Sequence, residues 1–280
     1  MRKKVLVIAT SSKTRGGITS VINSHKTSDF WSNWNCIWIE THRDSNTIVK
    51  LIYFLRGLLM FLINLKTASI IHIHLSGPSS LKRKMIFIKL SKIFNKKIIM
   101  HYHGASSDAT IDASHLSTYK KAFQNADQVI VLSSLWKLNM SNQLNVKKDK
   151  VSVVFNPCSE QKENNYTTVH KYILYAGKLN ERKGYRDLIK AFSIFNKKKS
   201  EWKLILAGDG EIEEAKNLIK EFKLKNSVKC VGWVSGEEKK KLFSKATIFC
   251  LPSYAEGFPM AVLDAVSFGI PVLTTPVGGV

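Results

Sequence analysis

Short apolar runs, each closed by a polar or glycine-bearing turn and followed by an amphipathic stretch, recur along this 280-residue chain. Val5–Ala9, Ile37–Glu40, Ile70–Leu75, Ile98–Tyr102, Gln128–Ser133 and Val151–Asn156 form one series. Tyr172–Ala176, Trp202–Ala207, Val228–Val234, Ile248–Leu251 and Ile270–Thr275 form a second. Runs that are apolar almost throughout suit strands buried on both faces of a parallel sheet. Strand–helix alternation sustained over this length predicts doubly wound α/β sheets. The polar segment around Ser159–His170 reads as a linker. The expected organisation is a first domain over 1–157, a linker over 158–170 and a second domain over 171–280.

Charge narrows the partners. The formal net charge is +22, and most of it falls in the first half. Such an excess calls for an acidic partner: nucleic acid, an anionic membrane or a phosphorylated substrate. The basic residues are dispersed over many predicted helices and match no nucleic-acid module, so a nucleic-acid-binding protein is the weaker alternative. Ile48–Leu65 is nearly long enough to cross a bilayer, but Lys50 and Arg56 interrupt it. It is expected as a helix packed on the sheet, with one face free for a membrane surface. The stretch LKRKMIFIKLSKIFNKK reads as a basic amphipathic helix with Leu81, Met85, Ile88, Leu90 and Ile93 on its apolar side. The four cysteines form no CxxC pair, so neither a disulfide framework nor a zinc site is expected. The opening MRKKVLVIATSS has too short an apolar run for a signal peptide and reads as the first strand, which suits a cytoplasmic protein.

Candidate site residues lie where strands end. Gly16 and Gly17 follow the first strand and precede a helix, an arrangement whose backbone amides can approach a phosphate. His72 and His74 alternate on one strand face with no third ligand evident, so no metal is expected. His103 stands at the end of the Ile98 strand before Gly104, with His101 two residues earlier on the same face; the residues alone favour a structural hydrogen bond, and only the resemblance given below makes His103, ahead of His101, a site candidate. Lys178 and Lys183 bracket the turn after Tyr172–Gly177 and supply cations for a phosphate. In LPSYAEGFPMAVLDAVSFGI, Pro252 stops a buried strand and Glu256 sits in the following loop. Pro259 is expected to open a helix, with Met260, Leu263, Val266 and Phe268 as its apolar set and Asp264 within it.

This last run resembles the signature of the retaining glycosyltransferases of family 4: an acid, seven residues, a second acid. Here the second acid is Asp264 where the family usually has Glu. The resemblance extends through the Gly16-Gly17 loop, the His103-Gly104 strand end, the VVFNP junction and the turn GKLNERKG, where Lys178 replaces the family's arginine. It implies a GT-B type α/β fold, two Rossmann-like doubly wound domains facing a cleft. Family members continue beyond the equivalent of Val280, so the second domain is expected to be incomplete. The implied activity is transfer of a sugar from a nucleotide-diphosphate sugar, with no separate cofactor. Glu256 and His103 would contact the transferred sugar, Lys178, Lys183, Gly16 and Gly17 the diphosphate, and Asp264 the ribose. With no Asp-x-Asp triplet in the chain, a divalent ion is not expected. The implied acceptor is a glycan or a polyprenyl-diphosphate-linked glycan of surface-polysaccharide assembly, met by a peripheral protein at the inner face of the cell membrane. The alternative within the family is a catalytically silent, truncated relic.

Overall fold

The computed structural model describes residues 3–158 and 170–280; the expected linker, apart from its two ends, lies outside the described residues. The chain divides into two compact units, one reaching Pro157 and the other starting at Cys158.

The first unit runs β1 (Val5–Ala9), α1 (Gly17–Lys26), α2 (Asp29–Asn33), β2 (Cys36–Glu40), α3 (Thr47–Leu65), β3 (Ile70–Leu75), α4 (Pro78–Ile93), β4 (Lys97–Tyr102), α5 (Leu116–Gln124), β5 (Gln128–Val131), α6 (Ser134–Leu144) and β6 (Val151–Val153). Its sheet is wholly parallel, in the order β2-β1-β3-β4-β5-β6. β1 is buried throughout and serves both faces. Leu6 and Ile8 enter the larger core with Ile71, Ile73 and Met100. Val5, Val7 and Ala9 face the other way and pack with Ile22 of α1. The chain goes from β1 outward to β2, then recrosses to β3, so strand order reverses between β1 and β3. In open α/β sheets such a reversal leaves a crevice at the carboxyl ends of the strands, where ligands bind.

The second unit runs β7 (Tyr172–Ala176), α7 (Tyr185–Lys198), β8 (Lys203–Ala207), α8 (Ile212–Glu221), β9 (Val228–Gly232), α9 (Gly236–Lys245), β10 (Ile248–Leu251), α10 (Met260–Ser267) and β11 (Val272–Thr274). Its parallel sheet has the order β11-β10-β7-β8-β9. The reversal here lies between β7 and β10. Each unit is a Rossmann-like doubly wound domain.

Several element details depart from expectation. β9 stops at Gly232, whose φ of 75° turns the chain before Val234. α9, expected from its apolar residues only over Leu242–Ala246, begins at Gly236, because its lysine-rich first turns carry little apolar signal. Pro259 precedes α10 rather than opening it: its ψ of 117° is extended. Ala265 is the buried residue of α10, supported by Ala261, Val262 and Phe268, while Val266 is exposed. On α4, Lys84 is buried where a solvated basic face was expected, and Ile93, assigned to the apolar side, is exposed. Lys84 Nζ donates to the carbonyl of His74 and, at 3.0 Å, to Ser80 Oγ.

α3 is seated by one narrow face. Gly57, Phe61 and Leu65 are its buried residues, and the rings of Phe54 and Phe61 meet Phe87 of α4 edge-on at 6.2 and 5.0 Å. At Gly57 the helix rides directly on the backbone leaving β2: a Cβ there would stand 2.5 Å from the Glu40 carbonyl oxygen. Gly57→Ala gains about 1 kcal/mol of helix propensity. It also forces backbone apart, at roughly 1–3 kcal/mol for overpacking. Since backbone yields less readily than a side chain, a net loss of about 1–2 kcal/mol is expected in urea denaturation. An alanine variant as stable as the parent would mean that α3 does not rest on β2.

Candidate functional site

The strand reversal in the second unit is closed by a buried ion pair. After β7 a short 3-10 turn, Glu181–Lys183, is capped by Asn180, whose side chain accepts from the Lys183 amide at 3.1 Å. Gly184 follows with φ 68°, and a Cβ on it would lie 2.0 Å from the Pro252 carbonyl oxygen. Only glycine allows this turn to lie against the loop leaving β10. That approach brings Lys183 Nζ to 2.5 Å from Glu256 Oε1, with Arg182 Nη1 3.5 Å from Oε2. Glu256 is 4% exposed. Burial pulls the Lys183 ammonium below its usual value, opposed by the attraction of Glu256.

The loop carrying Glu256 is held from several sides. Arg182 Nη1 donates to the Ala255 carbonyl at 2.5 Å, and the Tyr254 amide donates to the Arg182 carbonyl at 2.8 Å. Tyr254 Oη donates to Asp187 of α7 at 2.5 Å, and Thr275 Oγ1 donates to the Ser253 carbonyl. Asp264 points to a different cation: Lys239 of α9, at 2.6 Å. Lys178 is exposed, and its backbone carbonyl accepts from Tyr175 Oη at 3.0 Å. Of the expected second-unit residues, then, Lys183 and Glu256 are in direct contact, and Asp264 is anchored separately. An open groove of about 500 Å³ runs along α7, lined in part by Arg182, Arg186, Asp187 and Tyr254. It adjoins the ion pair without including it. Lys239 and Tyr254 carried no distinguishing sequence signal; a lysine among lysines and a loop tyrosine are found only through their partners.

In the first unit, Gly16 precedes α1 with φ 148°, and no atom lies within 4 Å of where its Cβ would be. Gly16 and Gly17 are exposed, the first turn of α1 holds no acid, and the loop is open at the β1/β3 reversal. His103 follows β4, and its amide donates to the Leu75 carbonyl at 2.7 Å. His103 Nε2 is 3.0 Å from His74 Nδ1. The register pairs His74 with His101, so the two strands build a patch of four imidazoles: His72, His74, His101 and His103. Sequence reading saw two histidines on one strand; the neighbouring strand's pair joins them only through register.

Ring nitrogens of His72, His74 and His101 lie within 4.8 Å of one another, which raises metal binding. A metal bound through an imidazole nitrogen lies near the plane of that ring. The rings of His72 and His101 are 5.5 Å apart and only 4° from parallel, so their planes do not converge on one ion. His101 and His103 stack at 4.2 Å. The patch is a stack of neutral rings. Burial holds all four below the ordinary histidine value, to about 4 for His72 and about 3 for His103.

The sequence of residues 159–280 matches the family model for glycosyl transferases group 1. That match falls on the second unit. Over 225 residues the chain is 27% identical to the amylovoran biosynthesis glycosyltransferase AmsK of Erwinia amylovora, covering 76% of this chain and 54% of AmsK. It is 30% identical over 181 residues to an uncharacterized glycosyltransferase of Methanocaldococcus jannaschii, covering 59% of this chain and 45% of that one. The chain spans about half the length of the curated relatives it matches. Among solved structures, Anabaena HepE in complex with UDP and glucose superposes with a TM-score of 0.71 at 16% identity, covering 99% of this chain and 82% of HepE. The fold is of the GT-B type.

Two outcomes follow from this geometry. Lys183→Met leaves a buried carboxylate with only Arg182 beside it, and should cost about 2–4 kcal/mol in denaturant melts. Adding Glu256→Gln to it should recover most of that loss; additive losses would show that the two side chains are not paired. In the imidazole patch, the folded-state values lie below the unfolded value of about 6.5. Its contribution is therefore complete above pH 6.5 and is lost as pH falls toward 4. The expected slope is up to about 1.4 kcal/mol per pH unit for each histidine. His101→Phe, which keeps a stacked ring that cannot protonate, should flatten the decline of Tm below pH 6.5; an unchanged pH profile would place His101 in solvent.

Proposed function

We propose that this chain is a retaining glycosyltransferase. It moves a sugar from a nucleoside diphosphate sugar to a glycan or polyprenyl-diphosphate-linked acceptor in surface-polysaccharide assembly, on the cytoplasmic side of the membrane. The observation that carries the reading is the buried Lys183–Glu256 pair at the strand reversal of the second unit. A carboxylate and an ammonium held together at a ligand-binding crevice suit a ligand with hydroxyls at one end and phosphates beside them. The kinship with AmsK and the UDP and glucose bound by HepE support the same substrate class.

In this reading the diphosphate draws the Lys183 ammonium toward itself, and Glu256 turns its freed lone pairs to the hydroxyls of the transferred sugar. Lys178 adds a second cation; in the first unit, Gly16 and Gly17 carry backbone amides that suit a phosphate. Charge growing on the departing diphosphate is thus met by cations gathered at the crevice once the donor is bound. This leaves a divalent ion without a necessary part. Asp264, oriented by Lys239, accepts from the ribose hydroxyls. In the first unit, burial holds His103 below the ordinary histidine value, so it serves as a neutral hydrogen-bonding group rather than as a cation. The bond from the anomeric carbon to phosphate oxygen breaks, and one to the acceptor oxygen forms on the same face. The acceptor proton leaves with the nucleoside diphosphate.

The test is binding and slow hydrolysis across a panel of UDP- and GDP-sugars, comparing the parent with Glu256→Gln. One donor should release free sugar, with a loss of about a hundredfold in the variant, the scale of removing one preorganised polar group. Failure of every donor to bind, or turnover indifferent to Glu256→Gln, would overturn the assignment.

A further inference from the structure

The outer face of α3 has no partner among the described residues. Ile48, Leu51, Ile52, Leu55, Leu59 and Ile63 repeat at intervals of three and four residues, so they lie on one side of the helix. All are exposed, Leu59 to 59% and Ile63 to 65%. A 19-residue helix measures about 28 Å, so this is a long apolar ridge, not a scatter of single side chains. It is not placed as a bilayer-crossing span, because the opposite side, Gly57, Phe61 and Leu65, is buried against the first unit. Beside it lies α4, packed on α3 through Phe87. The exposed side of α4 alternates Lys82, Ile86, Lys89 and Ile93. An apolar ridge flanked by snorkelling lysines is the composition of a surface that lies in a lipid headgroup layer.

We infer that α3 and α4 form a docking face for an anionic lipid bilayer, α3 lying flat with its ridge inserted and the α4 lysines meeting lipid phosphates. Charge selects this occupant over a second copy of the chain. From residue 45 to residue 107 there are ten Lys or Arg and no Asp or Glu. Two copies meeting through this face would set those cations against each other with no acid from the segment to offset them. A bilayer rich in anionic headgroups offsets the exposed ones, Lys82 and Lys89 of α4 among them, at close to fivefold in affinity per basic residue near the surface. The inference rests on the first unit's own residues and stands whether or not the donor assignment holds.

The experiment is flotation of the purified chain with vesicles of phosphatidylcholine alone or with 30% phosphatidylglycerol, at about 0.1 M and about 0.5 M salt, the span over which surface charge is progressively screened. Two variants are compared with the parent: Leu55→Ser/Leu59→Ser on the ridge, and Lys82→Glu/Lys89→Glu on α4. All four positions are exposed, and circular dichroism checks the fold. The parent should float with the anionic vesicles and weakly with the neutral ones. The ridge variant should lose flotation on both. The charge variant should lose about tenfold or more at low salt, the scale of removing two lysines and adding two acids at a membrane surface, while neutral vesicles barely distinguish it from the parent. Equal binding of the parent to both vesicles, or flotation untouched by either variant, overturns the inference. So does a parent dimer in light scattering that the ridge variant dissociates, since the face would then be joining two copies.

Discussion

The carboxylate of Glu256 is almost withdrawn from water, and the surrounding second unit is arranged so that it never lacks a cation. A buried charge without a partner costs several kcal/mol, enough to remove a large part of a domain's stability. Lys183 meets that need only because Gly184 permits the turn before α7 to press on the Pro252 carbonyl. The turn in turn carries Arg182 to the Ala255 carbonyl and Tyr254 to Asp187. Backbone conformation, ion pairing and loop placement are thus a single device. A pair whose stabilisation nearly cancels its desolvation is also one that a charged ligand can reorganise at small cost.

The imidazole patch of the first unit answers the same problem without charge. Four rings of one polarity meet across β3 and the end of β4, and among the described residues no carboxylate acts on their ionisation. Burial therefore keeps them neutral, and they stack like other flat rings. Lys84 is the neighbouring exception. Its ammonium is buried on α4 and donates to the His74 carbonyl and Ser80, and burial lowers its value to about 7. One cation that can discharge near neutrality is tolerated where a cluster of imidazolium ions is not.

The strand runs, both sheets and the Gly-Gly, His-Gly and Lys-Gly turns were legible from the sequence because each depends on local pattern. Burial on both faces of a parallel strand leaves an unbroken apolar run, and Val5–Ala9 or Ile248–Leu251 can hardly be read otherwise. What was not legible depends on partners distant in sequence. His101 joins His74 through strand register, and Asp264 meets Lys239 because α9 and α10 flank one sheet. Lys84 looked solvated because a lysine in LKRKM is ordinarily at the surface; its burial follows from strand β3 ending beneath it. The apolar side of α10 was misassigned for a related reason. Nearly all of its residues are apolar, so periodicity could not say that Ala265 faces the sheet and Val266 does not.

The helix α3 carries this limit further. Its residues are apolar all round, a composition that fits a core helix, a membrane span or an interfacial helix equally well. Gly57 separates these cases once the backbone is known. A glycine that lets a helix rest on the Glu40 carbonyl commits that side to the sheet, which removes the membrane span. The core helix is removed by what remains outside, since six large aliphatic side chains keep most of their surface in water. At about 25 cal/mol for each Å² withdrawn from water, leaving such a ridge exposed forgoes stabilisation comparable to a whole domain's margin. A surface that costs so much in solution is accounted for by a state in which it is covered, and the uninterrupted cations beside it say what kind of surface covers it.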